Sequence, residues 1–198
     1  MTQVSATDSA SVATISTPSR LRRYSPVAMT LHWAMAALIL FAVVHGLLLD
    51  DWPRDSKVAS INIHAQSGLL VLVLLIARVW WRRTHTPPPL PPEVSEFSRR
   101  AAHPVHMLIY VLMLVVPLVG IVAFVWHARV LDFGLFAINF GIKSNGAVFH
   151  PAEDIHLLLT YGLLALVGGH AAAALWHHFV SRDTVLLRML PGSGDRSQ

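Results

Sequence analysis

The chain has no cysteine. That excludes disulfides, thiolate-held iron–sulfur clusters and the covalent attachment of a c-type haem. Charge is scarce too: Asp, Glu, Lys and Arg make up 13% of the 198 residues, about half of what a soluble domain carries. The formal charge is +4, yet the cations are scattered over several connections between apolar runs. That pattern encodes membrane orientation, so no nucleic-acid partner is expected. There is no internal repeat of useful strength. No secretory leader is expected either, because the first apolar run is too long for a signal core and lacks a small-residue cleavage site.

What the chain has is apolar length. It is 54% hydrophobic with a mean hydropathy of +0.54. Four runs are long enough to span a bilayer: about Pro26 to Leu49, Ile61 to Trp81, Val105 to Trp126 and Ile155 to Val180. A helix needs about 17–25 residues for this, and none of the four shows the alternating ten-residue pattern of a barrel strand. The expected fold class is an all-α membrane protein, a four-transmembrane-helix bundle. Residues 1–20 are rich in Ser, Thr and Ala and read as a disordered tail. Residues 21–191 read as the four-helix domain, and 192–198 as a short second tail. Pro117 is an expected kink, and THTPPPLPP from Thr84 to Pro92 reads as a semi-rigid spacer.

Lys and Arg set the orientation. Arg20, Arg22 and Arg23 precede the first run, and Arg82, Arg83, Arg99 and Arg100 lie between the second and third. Arg182, Arg188 and Arg196 follow the fourth. The other two connections hold only Arg54 with Lys57 and Arg129 with Lys143. Both termini of this multi-pass membrane protein are therefore expected in the cytoplasm. Glu153 and Asp154 are expected in the first turn of the fourth helix, where negative charge suits the dipole. The long connection from His127 to Asp154 is expected on the outer surface.

Four histidines sit in or beside the apolar runs: His32, His64, His156 and His170. Ionisable groups at membrane depth face a cavity, a partner or a cofactor. His156 and His170 are fourteen residues apart on one run, roughly 21 Å along a helix and within about 40° of four full turns. Both rings therefore leave the same face, one near each membrane surface. Depth then pairs His64 with His156 outside and His32 with His170 inside. Two imidazoles without carboxylate or thiolate make a poor closed zinc site but complete the axial coordination of a haem iron. Gly68 and Ala174, each one turn after a candidate ligand, leave room for a flat ring. His45 points about 140° away from His32 and is expected to be a non-ligand. His85, His127 and His150 are expected in loops, and His103, His106, His177 and His178 at the inner surface. His177 shares the face of His170 and is the candidate contact for a quinone head group or a proton relay.

The segments YSPVAMTLHW, NIHAQSGLLVLVLLIARVWWR, HPVHMLIYVLMLVVPLVG, IHLLLTYGLLALVGGHAAAALWHHF and DTVLLRMLPG closely resemble the bacterial cytochrome b561 family, from about Arg23 to Pro191. The resemblance implies two b haems per chain, with His32, His64, His156 and His170 as axial ligands. It also implies an oxidoreductase of a bacterial inner membrane that takes electrons from superoxide or another outer donor and passes them to ubiquinone. His177 matches a family position at the quinone end. The same resemblance admits an electron-transfer or anchor subunit for a partner dehydrogenase or hydrogenase. A metal-ion transporter using these histidines would lack the intramembrane carboxylates such carriers use. Against superoxide stands the outer charge: four cations (Arg54, Lys57, Arg129, Lys143) face six acids (Asp50, Asp51, Asp55, Asp132, Glu153, Asp154), a net of −2.

Overall fold

The computed structural model describes residues 23–191; the expected tails, 1–20 and 192–198, lie outside the described residues. Four long helices run through it: α1 (Pro26–Leu47), α2 (Lys57–Thr84), α3 (Glu96–Trp126) and α4 (Gly146–Trp176). All four are long and apolar enough to cross a membrane. Their outer faces carry exposed Leu40, Val73, Ile76, Leu108 and Leu158, as a lipid-facing surface requires.

Three of the helices start at a recognisable side-chain cap. Ser25 Oγ accepts from Ala28 N (3.3 Å) and Pro26 occupies the first helical position. Ser95 Oγ accepts from Ser98 N (3.2 Å) ahead of α3, and Asn145 Oδ1 accepts from Ala147 N (3.1 Å) ahead of α4. The last two caps lengthen their helices beyond the apolar runs. The third helix begins at Glu96 rather than near Val105, and the fourth at Gly146 rather than near Ile155. Glu153 and Asp154 consequently sit about two turns inside α4, not in its first turn, and His150 is helical rather than in a loop. Pro104 and Pro151 lie inside helices, as Pro117 does.

The connection from α3 to α4 is not wholly irregular. Two short strands, β1 (Leu131–Asp132) and β2 (Ala137–Ile138), pair antiparallel with Leu131 opposite Ile138. Asn62 and Gln66 of α2 hold this hairpin: Asn62 Oδ1 accepts from Asp132 N (2.9 Å) and Gln66 Nε2 donates to the Asp132 carbonyl (2.6 Å). It covers the distal end of the bundle, opposite the end where α1 begins and α4 finishes.

At that terminal end α4 widens into a π-helical turn, His177–Ser181, and Arg182 takes a left-handed conformation (φ 52°) that reverses the chain. The following segment folds back over the bundle. Trp33 Nε1 donates to the Met189 carbonyl (2.7 Å), Tyr24 N donates to the Arg188 carbonyl (3.2 Å), and the Arg188 guanidinium lies over the Tyr24 ring.

The helices pack in sequence order, α1 on α2, α2 on α3 and α3 most extensively on α4. The buried core is a belt at mid-height: Met35, Ile39, Val43, Val71, Leu75, Met113, Val116 and Leu163. Cavities lie above and below it.

Candidate functional site

The four expected ligands come together as two pairs. At the distal end the rings of His64 (α2) and His156 (α4) have centres 5.9 Å apart at 90°. At the terminal end those of His32 (α1) and His170 (α4) are 6.2 Å apart at 73°. Two imidazoles clamping one metal at about 2 Å per bond need ring centres roughly 6 Å apart, so both separations suit a shared metal. Among the described residues no group of three or more His, Cys, Asp or Glu gathers to hold a metal ion. Each pair therefore fits a metal whose other ligands arrive with it, as the four nitrogens of a porphyrin do.

The distal pair is seated by glycine. A Cβ on Gly46 would lie 2.6 Å from His64 Cε1, and one on Gly120 would lie 2.9 Å from His156 Cε1. Both positions admit no side chain without moving a ring. His156 Nδ1 donates to the Val116 carbonyl (2.9 Å), which holds the proton on Nδ1 and leaves the Nε2 lone pair for a metal. His64 Nδ1 is buried without a hydrogen bond of ordinary geometry. Two adjoining cavities, about 140 and 430 Å³, are both lined by His64, His156, Gly46 and Gly68. Gly68 thus borders this space as expected, although a Cβ there would meet only Pro117, at 3.6 Å.

His45 does not line these cavities. It is buried behind His64, nearly parallel to it at 6.3 Å, with Nε2 3.1 Å from Ser60 Oγ and Trp52 alongside. The distal rim is charged: Lys57 Nζ donates to Asp50 Oδ1 (2.9 Å), and Arg129 and Glu153 line the same opening. Lys57 holds the Asp50 carboxyl below its ordinary range, first through the hydrogen bond and then through its charge. Burial lowers the Arg129 guanidinium from its ordinary value.

The His32–His170 pair, labelled inner after its expected side, lines a cavity of about 310 Å³, with Ala36, Ala171 and Ala174 supplying small walls. Ala174 borders the space as its spacing predicts. Val185, Leu186 and Met189 of the folded-back segment close it from the terminal side. Two residues not singled out as ligands or contacts from sequence stand here. His106 of α3 lies 5.0 Å from His170 and bonds the Ala102 carbonyl one turn back through Nδ1. Arg78 of α2 reaches across: its Nε donates to Tyr110 Oη (3.2 Å), and its Nη2 is 3.0 Å from His32 Nδ1. His177 lies apart from this cavity, and its Nδ1 pairs with the carboxylate of buried Asp183.

Ile39 and Met113 line both the inner cavity and the smaller distal one. One layer of side chains separates the two sites. Glycine-cradled imidazoles beside two cavities at the distal level, and an imidazole pair in an alanine-walled apolar cavity at the other, each suit a porphyrin.

The chain is similar to known proteins along most of its length. The sequence pattern of prokaryotic cytochrome b561 matches residues 23–192. The chain is 30% identical over 171 residues to a Yersinia pestis protein named probable superoxide oxidase CybB, covering 86% of this chain and 97% of that one. It is 27% identical over 175 residues to cytochrome b561 homolog 1 of Escherichia coli (86% and 98%), and 28% identical over 173 residues to cytochrome b562 of Cereibacter sphaeroides (84% and 94%). With four apolar helices and two imidazole pairs already in place, the chain belongs to the prokaryotic cytochrome b561 family of haem-binding electron-transfer membrane proteins.

Proposed function

We propose that this protein carries electrons across a bacterial inner membrane through two b haems, from superoxide or another outer donor to ubiquinone. His64 and His156 hold the distal haem, and His32 and His170 hold the inner one. The observation that carries the reading is the pair of matched imidazole clamps separated by one layer, Ile39 and Met113.

A haem iron with two imidazole ligands has no open position, so the group supplies one-electron transfer. The chain supplies the rest. Val116 fixes the tautomer of His156, Gly46 and Gly120 fix the ring positions, and the folded-back segment keeps water from the inner cavity. In balance, two superoxide anions give two dioxygen molecules and two electrons, and these with two protons convert one ubiquinone to ubiquinol. His177, its ring held by Asp183 beside exposed Trp176 and Phe179, is the proposed quinone-end residue and proton carrier. The terminal end carries Arg82, Arg83, Arg99, Arg100, Arg182 and Arg188 and is assigned to the cytoplasm, which puts the hairpin and the charged rim outside.

The relative named a probable superoxide oxidase supports that donor. The rim of the distal cavity supports a second reading, an anchor subunit for a partner dehydrogenase or hydrogenase. There Asp50 and Glu153 match Lys57 and Arg129, so no net positive funnel faces a small anion. One experiment separates the two. Purified protein is counted for haem per chain, exposed to generated superoxide, and followed by its visible spectrum with ubiquinone added. Two haems, prompt reduction and quinol formation are expected. A single haem or none overturns the reading, and a strict need for a co-purified subunit selects the second.

A further inference from the structure

We propose that Arg78 is the anchoring residue for an oxyanion that does not belong to this chain, a carboxylate of the inner porphyrin. The proposal rests on the reading that His32 and His170 hold that porphyrin.

Arg78 lies in the membrane-spanning part of α2, about a turn and a half before its end at Thr84. It forms part of two walls at once, bordering both the inner cavity and a larger one of about 690 Å³ at the terminal end. Among the described residues neither cavity is lined by an Asp or Glu. Two acids at this end are committed elsewhere: Glu96 to Arg100 (2.8 Å) and Asp183 to His177. A guanidinium at membrane depth without a counter-ion is costly and marks a functional contact.

The three nitrogens of Arg78 sharpen this. Nε is used by Tyr110, Nη2 faces His32 Nδ1, and Nη1 is buried without a hydrogen bond. A guanidinium has only donors, so the contact to His32 requires a lone pair on Nδ1. A neutral imidazole that gives its Nε2 lone pair to a metal keeps its proton on Nδ1. The two requirements cannot hold together. Once His32 ligates, Nη2 faces another donor and must turn away, and the outer edge of the guanidinium is left with two open N–H groups. A planar fork of that kind matches an oxyanion with two acceptor oxygens. A porphyrin clamped by His32 brings carboxylates into the cavity that Arg78 borders. A lipid phosphate entering the larger cavity, which Arg23 and Arg82 also line, offers the same chemistry.

The test compares wild type, Arg78→Lys and Arg78→Gln, read by haem per chain and by the midpoint potential of each haem. Arg78→Gln should hold the inner haem roughly tenfold less tightly, the size of one charge-assisted hydrogen bond. Its inner midpoint should fall, since a nearby cation favours the reduced iron, while the distal haem keeps its own. Arg78→Lys should fall between. Haem-depleted wild type reloaded with the dimethyl ester of iron protoporphyrin should show the same weakened inner site, and the ester should bring no further loss in Arg78→Gln. This arm also reports if the variant fails to fold. Equal binding of acid and ester, with an inner midpoint that shifts between zwitterionic and anionic nanodiscs only in wild type, assigns the anion to lipid and overturns the porphyrin carboxylate. No dependence on either overturns the anchor. A wild type whose spectrum His170→Ala leaves unchanged has no inner haem, which sinks the ligand assignment instead.

Discussion

The distal and inner sites solve one problem with different materials. At the distal site the backbone does the positioning: glycines at 46 and 120 let the rings of His64 and His156 lie against neighbouring helices, and a main-chain carbonyl orients His156. At the inner site side chains do it. Arg78 and Tyr110 brace His32, His106 leans on His170, and a returning segment closes the cavity. A site formed by missing side chains has no slack, because any added atom meets a ring. A site formed by long side chains can rearrange when its ligand arrives, as proposed for Arg78.

The largest effects should come from the proposed ligands themselves. His64→Ala or His156→Ala should remove the distal haem and spare the inner one, taking the content from two per chain to one by visible spectrum. His32→Ala or His170→Ala should do the reverse. His106→Ala should keep both, since His106 is the third imidazole of its site. If His106→Ala loses the inner haem and His32→Ala keeps it, the inner clamp is His106 with His170 and the contrast must be redrawn.

Next come the glycines, where the comparison is most exposed. Gly120→Ala and Gly46→Ala insert an atom 2.9 and 2.6 Å from the rings of His156 and His64. Overpacking of this kind costs about 1–3 kcal/mol, which predicts roughly ten- to hundredfold weaker retention of the distal haem alone. Gly68→Ala meets only Pro117 at an ordinary 3.6 Å and should retain both haems. Equal behaviour of Gly46→Ala and Gly68→Ala in a haem-retention assay would break the claim that the distal site lacks slack. Smaller still is Trp33→Phe, which removes the 2.7 Å bond to the Met189 carbonyl that ties down the inner cover. The expected loss is about 0.5–1.5 kcal/mol, seen as earlier thermal bleaching of the inner haem with the distal band unmoved.

What the sequence made legible follows from what is periodic in it. Apolar length showed four helices, and the spacing of His156 and His170 on one span placed a ring at each level, as the structure has them. Helix starts were less legible. Arg99, Arg100 and Pro104 interrupt the apolar run of α3 but not its backbone, which Ser95 caps from further out. The glycine seats could not be assigned to their rings, because Gly46 precedes His64 by a turn of chain and a helix reversal. A glycine in a lipid-facing run does signal close approach, and Gly46 and Gly120 could have been flagged on that ground. Nothing in the spacing tied Arg78 to His32, since that contact joins α1 and α2 through the tip of a long side chain. Nor did the pattern show that DTVLLRMLPG returns to close a cavity; that depends on the left-handed turn at Arg182.

The smallest expected effect lies at the distal rim, and it bears on which donor the site meets. Lys57 with Asp50 and Arg129 with Glu153 leave the opening near neutral. Asp50→Asn with Glu153→Gln makes it cationic by two charges. A small anionic donor such as superoxide should then reduce the distal site roughly two- to tenfold faster at low salt, with the gain fading as the screening length falls below about 10 Å. The gain should hold from about pH 8 down to about pH 5, above the ordinary carboxylate range. Asp50 is held below that range by Lys57, so in wild type its charge opposes the anion throughout the window. Arg129, though lowered by burial, is a guanidinium and stays a cation of the rim. The inner site shares none of these groups, so its midpoint should stay put. A variant that speeds a neutral donor equally would show that the rim acts by access rather than by charge.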